Sequence, residues 1–175
     1  DAPGIYTYTV VGSGACGSAS ASSTVTVTVN PLPNAGVNAN LLLCSTDAPL
    51  NLFAELVGTP EVGGSWIGPN GSAFTNPFNP ATGTAGTYTY SIAGIAPCPS
   101  SNATVTVSVN APPNAGTNGP LTLCTSDAPV SLLNVISAAP GGTWSGPSGL
   151  AGGVFDPAAN AAGTYTYTVI GAAPC

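Results

Sequence analysis

Lysine, arginine, histidine and methionine are all missing from the 175 residues, and each absence removes a class of function. Six acids (Asp1, Asp47, Glu55, Glu61, Asp127 and Asp156) stand against no side-chain cation. Such a chain repels polyanions, so nucleic acid and anionic headgroups are excluded as partners. Without His or Lys, the usual general bases, imidazole-activated nucleophiles and imidazole metal sites are also gone. Paired carboxylates would still serve a glycosidase. Yet Glu55, Glu61 and Asp156 meet Val135, a Pro/Ala stretch and Asn79 at the matching places of the neighbouring repeat described below, so no acidic pair recurs. The expectation is a protein that is not an enzyme, with no catalytic residue and no cofactor. The same absences leave trypsin-like proteases no cleavage site, oxidants no thioether, and Lys–Asn isopeptide crosslinking no donor.

A long apolar run is also lacking. Nothing approaches the roughly 20 residues of a membrane helix, and neither end reads as a basic, hydrophobic signal peptide. This segment is therefore expected not to insert into a membrane, with anchor and export signals expected elsewhere.

What is present is patterned. Apolar residues make up 43% of the chain, in regular arrays that a packed core can use. One phrase occurs three times: Gly4-Ile-Tyr6-Thr-Tyr8-Thr-Val10, Gly86-Thr-Tyr88-Thr-Tyr90-Ser-Ile92 and Gly163-Thr-Tyr165-Thr-Tyr167-Thr-Val169. Its spacings of 82 and 77 residues are shared by other landmarks. Asn34-Ala-Gly36 answers to Asn114-Ala-Gly116, Cys44-Ser-Thr-Asp47-Ala-Pro49 to Cys124-Thr-Ser-Asp127-Ala-Pro129, and Trp66 to Trp144. A period near 80 is a whole domain rather than a solenoid coil. Residues 1–30 read as the C-terminal part (strands F and G) of one repeat, 31–110 as a complete repeat, and 111–175 as a repeat lacking its last strand. Proline-bearing boundaries at Asn30-Pro-Leu-Pro33 and Asn110-Ala-Pro-Pro113 stiffen the joints.

Within a repeat the period is two. Thr24–Val29 and Thr104–Val109 alternate Thr and Ser with Val, while Gly68-Pro69, Asn70-Gly71 and Asn76-Pro77 mark turns. Nothing reads as a helix. About seven short strands with an early Trp and late tyrosines predict an all-β fold, a linear array of tandem immunoglobulin-like β-sandwich domains. The expected strands are A (41–44), B (49–56), C (64–67), a short middle pair, F (87–93) and G (103–109). Trp66, Trp144, Tyr88 and Tyr165 are the expected core aromatics.

These phrases together resemble the tandem repeats of very large surface proteins of Bacteroidetes, especially flavobacteria, which often end in a gliding-motility-associated sorting domain. The likeness covers essentially the whole chain: Pro-Asn-Ala-Gly, Leu-Cys-Ser/Thr, Gly-Gly-Thr-Trp-Ser-Gly-Pro, the Tyr-Thr-Tyr phrase, and Pro-Cys ahead of a Thr-Val ladder. It implies export by the type IX route and display at the bacterial cell surface as adhesin-like or filamentous material. Implied partners are further repeats head to tail and a host, glycan or abiotic surface. The family offers no catalytic residues to carry over.

Other features have competing readings. Asp47 and Asp127, each in a Ser/Thr-rich turn, suit carboxylates that cap backbone N–H groups; calcium is the alternative, though it wants more than one carboxylate. Exposed Thr24, Thr26 and Thr28 suit the solvent face of a strand, or else a flat hydroxyl face for ice or glycans. The cysteines occupy two recurring positions, Cys44 and Cys124 at the end of the first strand and Cys16, Cys98 and Cys175 before the last, which argues for disulfides in an oxidising, extracellular setting. Two connectivities stay open. Pairing within a repeat joins Cys44 to Cys98 and Cys124 to Cys175. Pairing across the junction joins Cys44 to Cys175, because in an immunoglobulin topology the two positions of one domain lie at opposite poles.

Overall fold

Alternation of Val with Thr or Ser makes the longest strand of the chain, and the other elements are placed around it. The computed structural model describes residues 1–175. Strands β1 (Gly4–Val11) and β2 (Ser20–Val27) form an antiparallel hairpin closed through a 3-10 turn at Gly14–Cys16. Every residue of both strands is exposed.

The second segment holds β3 (Ala39–Cys44), α1 (Leu52–Glu55), β4 (Ser65–Ile67), β5 (Ala73–Phe74), β6 (Gly86–Ile92) and β7 (Ser101–Asn110). Its strands build one five-stranded sheet in the order β3-β7-β6-β4-β5. β3 runs parallel to β7, and all other neighbours are antiparallel. Period two sets the faces: Tyr88, Tyr90 and Ile92 of β6 and Ala103, Val105 and Val107 of β7 are buried. The threonines point the other way, with the Thr87 and Thr106 hydroxyls 3.3 Å apart across the strands. Ala35, Leu52, Leu56 and Phe78 close the core from the opposite side. Leu50 and Phe78 exchange a pair of 2.8 Å backbone hydrogen bonds there.

The expected strand over 49–56 does not form, and the expectation of no helix is corrected with it. Asn51 Oδ1 accepts from the Phe53 N–H at 3.0 Å and caps a short helical turn. Leu52 and Leu56, four residues apart, are both buried, so this stretch obeys the helical period rather than period two. The other expected strands lie within two residues of β3, β4, β6 and β7, and the middle pair reduces to β5 beside β4.

The third segment repeats this plan in thinner form: β8 (Val130–Ser131), α2 (Leu132–Ile136), β9 (Thr143–Ser145), β10 (Val154–Phe155) and β11 (Thr166–Thr168). They make two small ladders, β8 with β10 and β9 with β11. Residues 119–124, the counterpart of β3, form no strand. The reason is local: β3 is held only by β7, and nothing corresponding to β7 lies beside 119–124. The chain is thus mostly sheet with two short helices, and no helix is long and apolar enough to cross a membrane.

Candidate functional site

The repeated phrases are explained first by bracing. The first tyrosine of each Tyr-Thr-Tyr phrase donates its hydroxyl to a carbonyl four residues back: Tyr6 to Ala2, Tyr88 to Thr84 at 2.7 Å, and Tyr165 to Ala161 at 2.8 Å. Burial of Tyr88 pushes its hydroxyl pKa above the ordinary value. The second tyrosine ties a turn to the sheet. Tyr90 donates to Glu61 O at 2.7 Å and accepts from Gly64 N at 2.8 Å, and Tyr167 does the same with Ala139 O and Gly142 N. A Cβ on Gly64 or on Gly142 would stand 2.6 Å from the tyrosine ring, which accounts for glycine ahead of each Ser/Thr-Trp. Replacing Tyr90 by Phe strands one donor and one acceptor. It is expected to cost about 1–2 kcal/mol in urea denaturation, with Tyr167→Phe showing the same sign.

Asp47 and Asp127 also have structural partners. Asp47 Oδ2 accepts from the Cys44 N–H at 2.8 Å and Asp127 Oδ2 from the Cys124 N–H at 2.7 Å. Each carboxylate closes its own turn, and neither gathers two further His, Cys, Asp or Glu side chains around a common point.

Two features remain that bracing does not absorb, and both concern how one segment meets the next. The first is the junction. Cys44 is bonded to Cys175 with their Cα atoms 5.2 Å apart, which joins the second segment to the third and leaves Cys16, Cys98 and Cys124 as free thiols. Cys98 does not reach Cys44, so the pairing within a repeat does not form. Asn110, the last residue of β7, sits at this joint: its amide donates to Ala173 O at 2.6 Å, and its carbonyl lies 3.3 Å from Cys175 Sγ. The first joint copies the second. Asn30 donates to Ala96 O at 3.0 Å, and Cys98 Sγ lies 3.4 Å from Asn30 O. The role of Asn30 and Asn110 was missed in the sequence; the available signal was their recurrence at a spacing of 80 residues, each ending a Thr-Val ladder.

The second feature is a groove of about 560 Å³ in the third segment, walled by Leu121, Leu123, Leu132, Trp144, Phe155 and Tyr165. Of the expected core aromatics, Trp66 and Tyr88 are buried in the second segment, whereas Trp144 and Tyr165 are half-buried in this wall. The aromatic packing is nonetheless the same in kind. Trp66 and Tyr90 have ring centroids 5.1 Å apart, against 4.9 Å for Trp144 and Tyr167. Phe78 and Tyr88 are 5.5 Å apart, against 5.6 Å for Phe155 and Tyr165. The difference is the strand that covers them: Val105 and Val107 of β7 lie over the second segment, and no strand of this chain lies over the third. Comparison with known protein families and with curated proteins finds no match to the chain.

Proposed function

We propose that this protein is a structural or adhesive component of an extracellular bacterial filament or surface array, built from immunoglobulin-like β-sandwich units joined rigidly end to end, and that it is not an enzyme. The observation that carries this reading is the Cys44–Cys175 bond. It staples one unit to the next instead of closing a unit on itself. A bond in that position limits swing between neighbours and does nothing for a pocket. The matching asparagine contacts at 30 and at 110 support the same view, since one geometry used at successive joints propagates along a line. The Pro-rich linkers and the lack of Lys, Arg and Met suit a long-lived polymer outside the cell.

Electron microscopy of the oxidised protein provides the test. Rows of beads are expected, with an axial step of about 35–45 Å per unit, set by strands of roughly 7–10 residues plus turns and a linker. Globular particles lying side by side without an axial row would remove the basis of the reading. So would binding on a glycan array or ice-recrystallisation inhibition that vanishes when Thr26 and Thr28 are changed, since the threonine face would then be the working surface.

A further inference from the structure

We infer that the open groove of the third segment is an acceptor for β2 of a second copy of this chain, and that seating it brings Cys124 of the first copy against Cys98 of the second for an intermolecular disulfide. This rests on the end-to-end reading above and names its strand and its bond.

The occupant is identified by comparison within the chain. In the second segment, the place corresponding to the groove is filled by β7, parallel to β3 and antiparallel to β6. Residues 24–30, Thr-Val-Thr-Val-Thr-Val-Asn, differ from residues 104–110 only by Thr28 in place of Ser108. The strand that belongs in such a groove therefore exists once more in the chain, and there it covers nothing: Val25 is 63% exposed and Val29 67%. Its only partner is β1, and an isolated two-stranded hairpin is marginally stable in water. In the groove β2 would gain β11 in place of β1, a strand from the same repeated phrase, together with residues 119–124 and an aromatic floor. Apolar surface on both sides leaves water, which is the driving force for the exchange.

The register fixes the cysteines. β7 sets Val105 opposite Ala39 and Tyr88, Val107 opposite Leu41, and Asn110 opposite Cys44. Carried over at the repeat spacing, the second copy's Val25 lies opposite Gly119 and Tyr165, its Val27 opposite Leu121, and its Asn30 opposite Cys124. Asn30 already holds Cys98 beside it, as Asn110 holds Cys175 beside Cys44. Cys124 and Cys98 are both free, and the incoming strand gives them the relation that Cys44 and Cys175 have within one chain. The step is a thiol–disulfide exchange. The Cys124 thiolate attacks oxidised glutathione and expels one glutathione thiolate. The Cys98 thiolate then attacks the mixed disulfide and expels the second. Two protein thiols are oxidised, and one glutathione disulfide is reduced to two glutathiones.

The test uses the full chain with Cys44–Cys175 intact, incubated with a glutathione redox couple. Products are separated by non-reducing electrophoresis and mapped by mass spectrometry after peptic digestion, trypsin having no site. A ladder of covalent multimers is expected, with Cys98–Cys124 peptides at least tenfold more abundant than Cys16–Cys124 peptides. Cys124→Ser should reduce the ladder at least tenfold, and Cys16→Ser should leave it. The double change Val25→Asp with Val27→Asp bars β2 from an apolar groove while keeping both thiols, and should also reduce the ladder at least tenfold with Cys44–Cys175 retained. Equal Cys16 and Cys98 crosslinking, a ladder indifferent to the valine changes, or a chain that stays monomeric would overturn the inference. Micrographs of the same samples separate the two levels: axial rows of beads held by other bonds sink the β2 assignment alone, whereas no axial rows under any condition sink the fibre reading as well.

Discussion

Breaking the Cys44–Cys175 bond is expected to destabilise the third segment by about 2–5 kcal/mol while leaving the second nearly untouched. Both parts of that expectation come from where buried surface lies. Of the 15 buried residues, only Leu132 and Gly153 belong to residues 111–175; the contiguous core of 11 is drawn wholly from 35–107. A segment with so little core has a small margin of its own, and the bond closes a separation of 131 residues, long enough for the restraint on the unfolded chain to be large. The second segment keeps its five-stranded sheet whether or not the bond is present. Two transitions are therefore expected rather than one, and a single melting temperature would misrepresent the molecule. Urea titration with and without reductant measures this, with tryptophan fluorescence reporting both segments, the Trp144→Phe variant isolating Trp66, and Cys175→Ser serving as the reagent-free control. The earlier transition should move to lower urea and the later one should hold. A profile unchanged by reductant would show that the junction bond carries no stability.

The elements legible in the sequence were those whose period was unambiguous. β6 and β7 follow from strict alternation, and the burial of Tyr88, Tyr90, Val105 and Val107 on one face follows from the same alternation. Residues 49–56 were misread because Leu50-Asn-Leu-Phe53 suits a strand as well as a helix over so short a window. The Asn51 cap and the Leu52–Leu56 spacing decide it, and they matter only once a sheet stands opposite. Disulfide connectivity stayed open for a different reason. Cysteine spacing is the same under either pairing, and only the position of Asn110 against Ala173 and Cys175 shows which ends meet. The groove was foreshadowed by the strand missing from the third repeat, but its walls and its likeness to the filled site required the aromatic geometry.

That likeness leads to the second large effect, a matched pair of truncations. Phe78 and Phe155 hold equivalent places in the repeat, each against the first tyrosine of its phrase at 5.5 and 5.6 Å between ring centroids. The turns that follow them are equivalent as well: Asn79 Oδ1 accepts from the Ala81 N–H at 3.0 Å, and Asp156 Oδ1 from the Ala158 N–H at 2.9 Å. Only their burial differs. Phe78 is 0% exposed, whereas Phe155 is half-buried in the groove wall. Removing a fully buried ring loses its transfer free energy and leaves a cavity in a packed core. Phe78→Ala is therefore expected to cost about 3–5 kcal/mol and to unfold the second segment at low urea. Removing Phe155 widens a space that already meets solvent, so no enclosed cavity is added and only part of the transfer term is lost. About 1 kcal/mol is expected from Phe155→Ala. The comparison holds chemistry and local sequence nearly constant, so its size measures what a covering strand contributes. If β2 of a second copy fills the groove, the cost of Phe155→Ala in the oxidised multimer should rise toward that of Phe78→Ala. Equal costs for the two changes in the isolated chain would mean that the third segment is already closed, contrary to the open wall that Leu121, Trp144 and Tyr165 present.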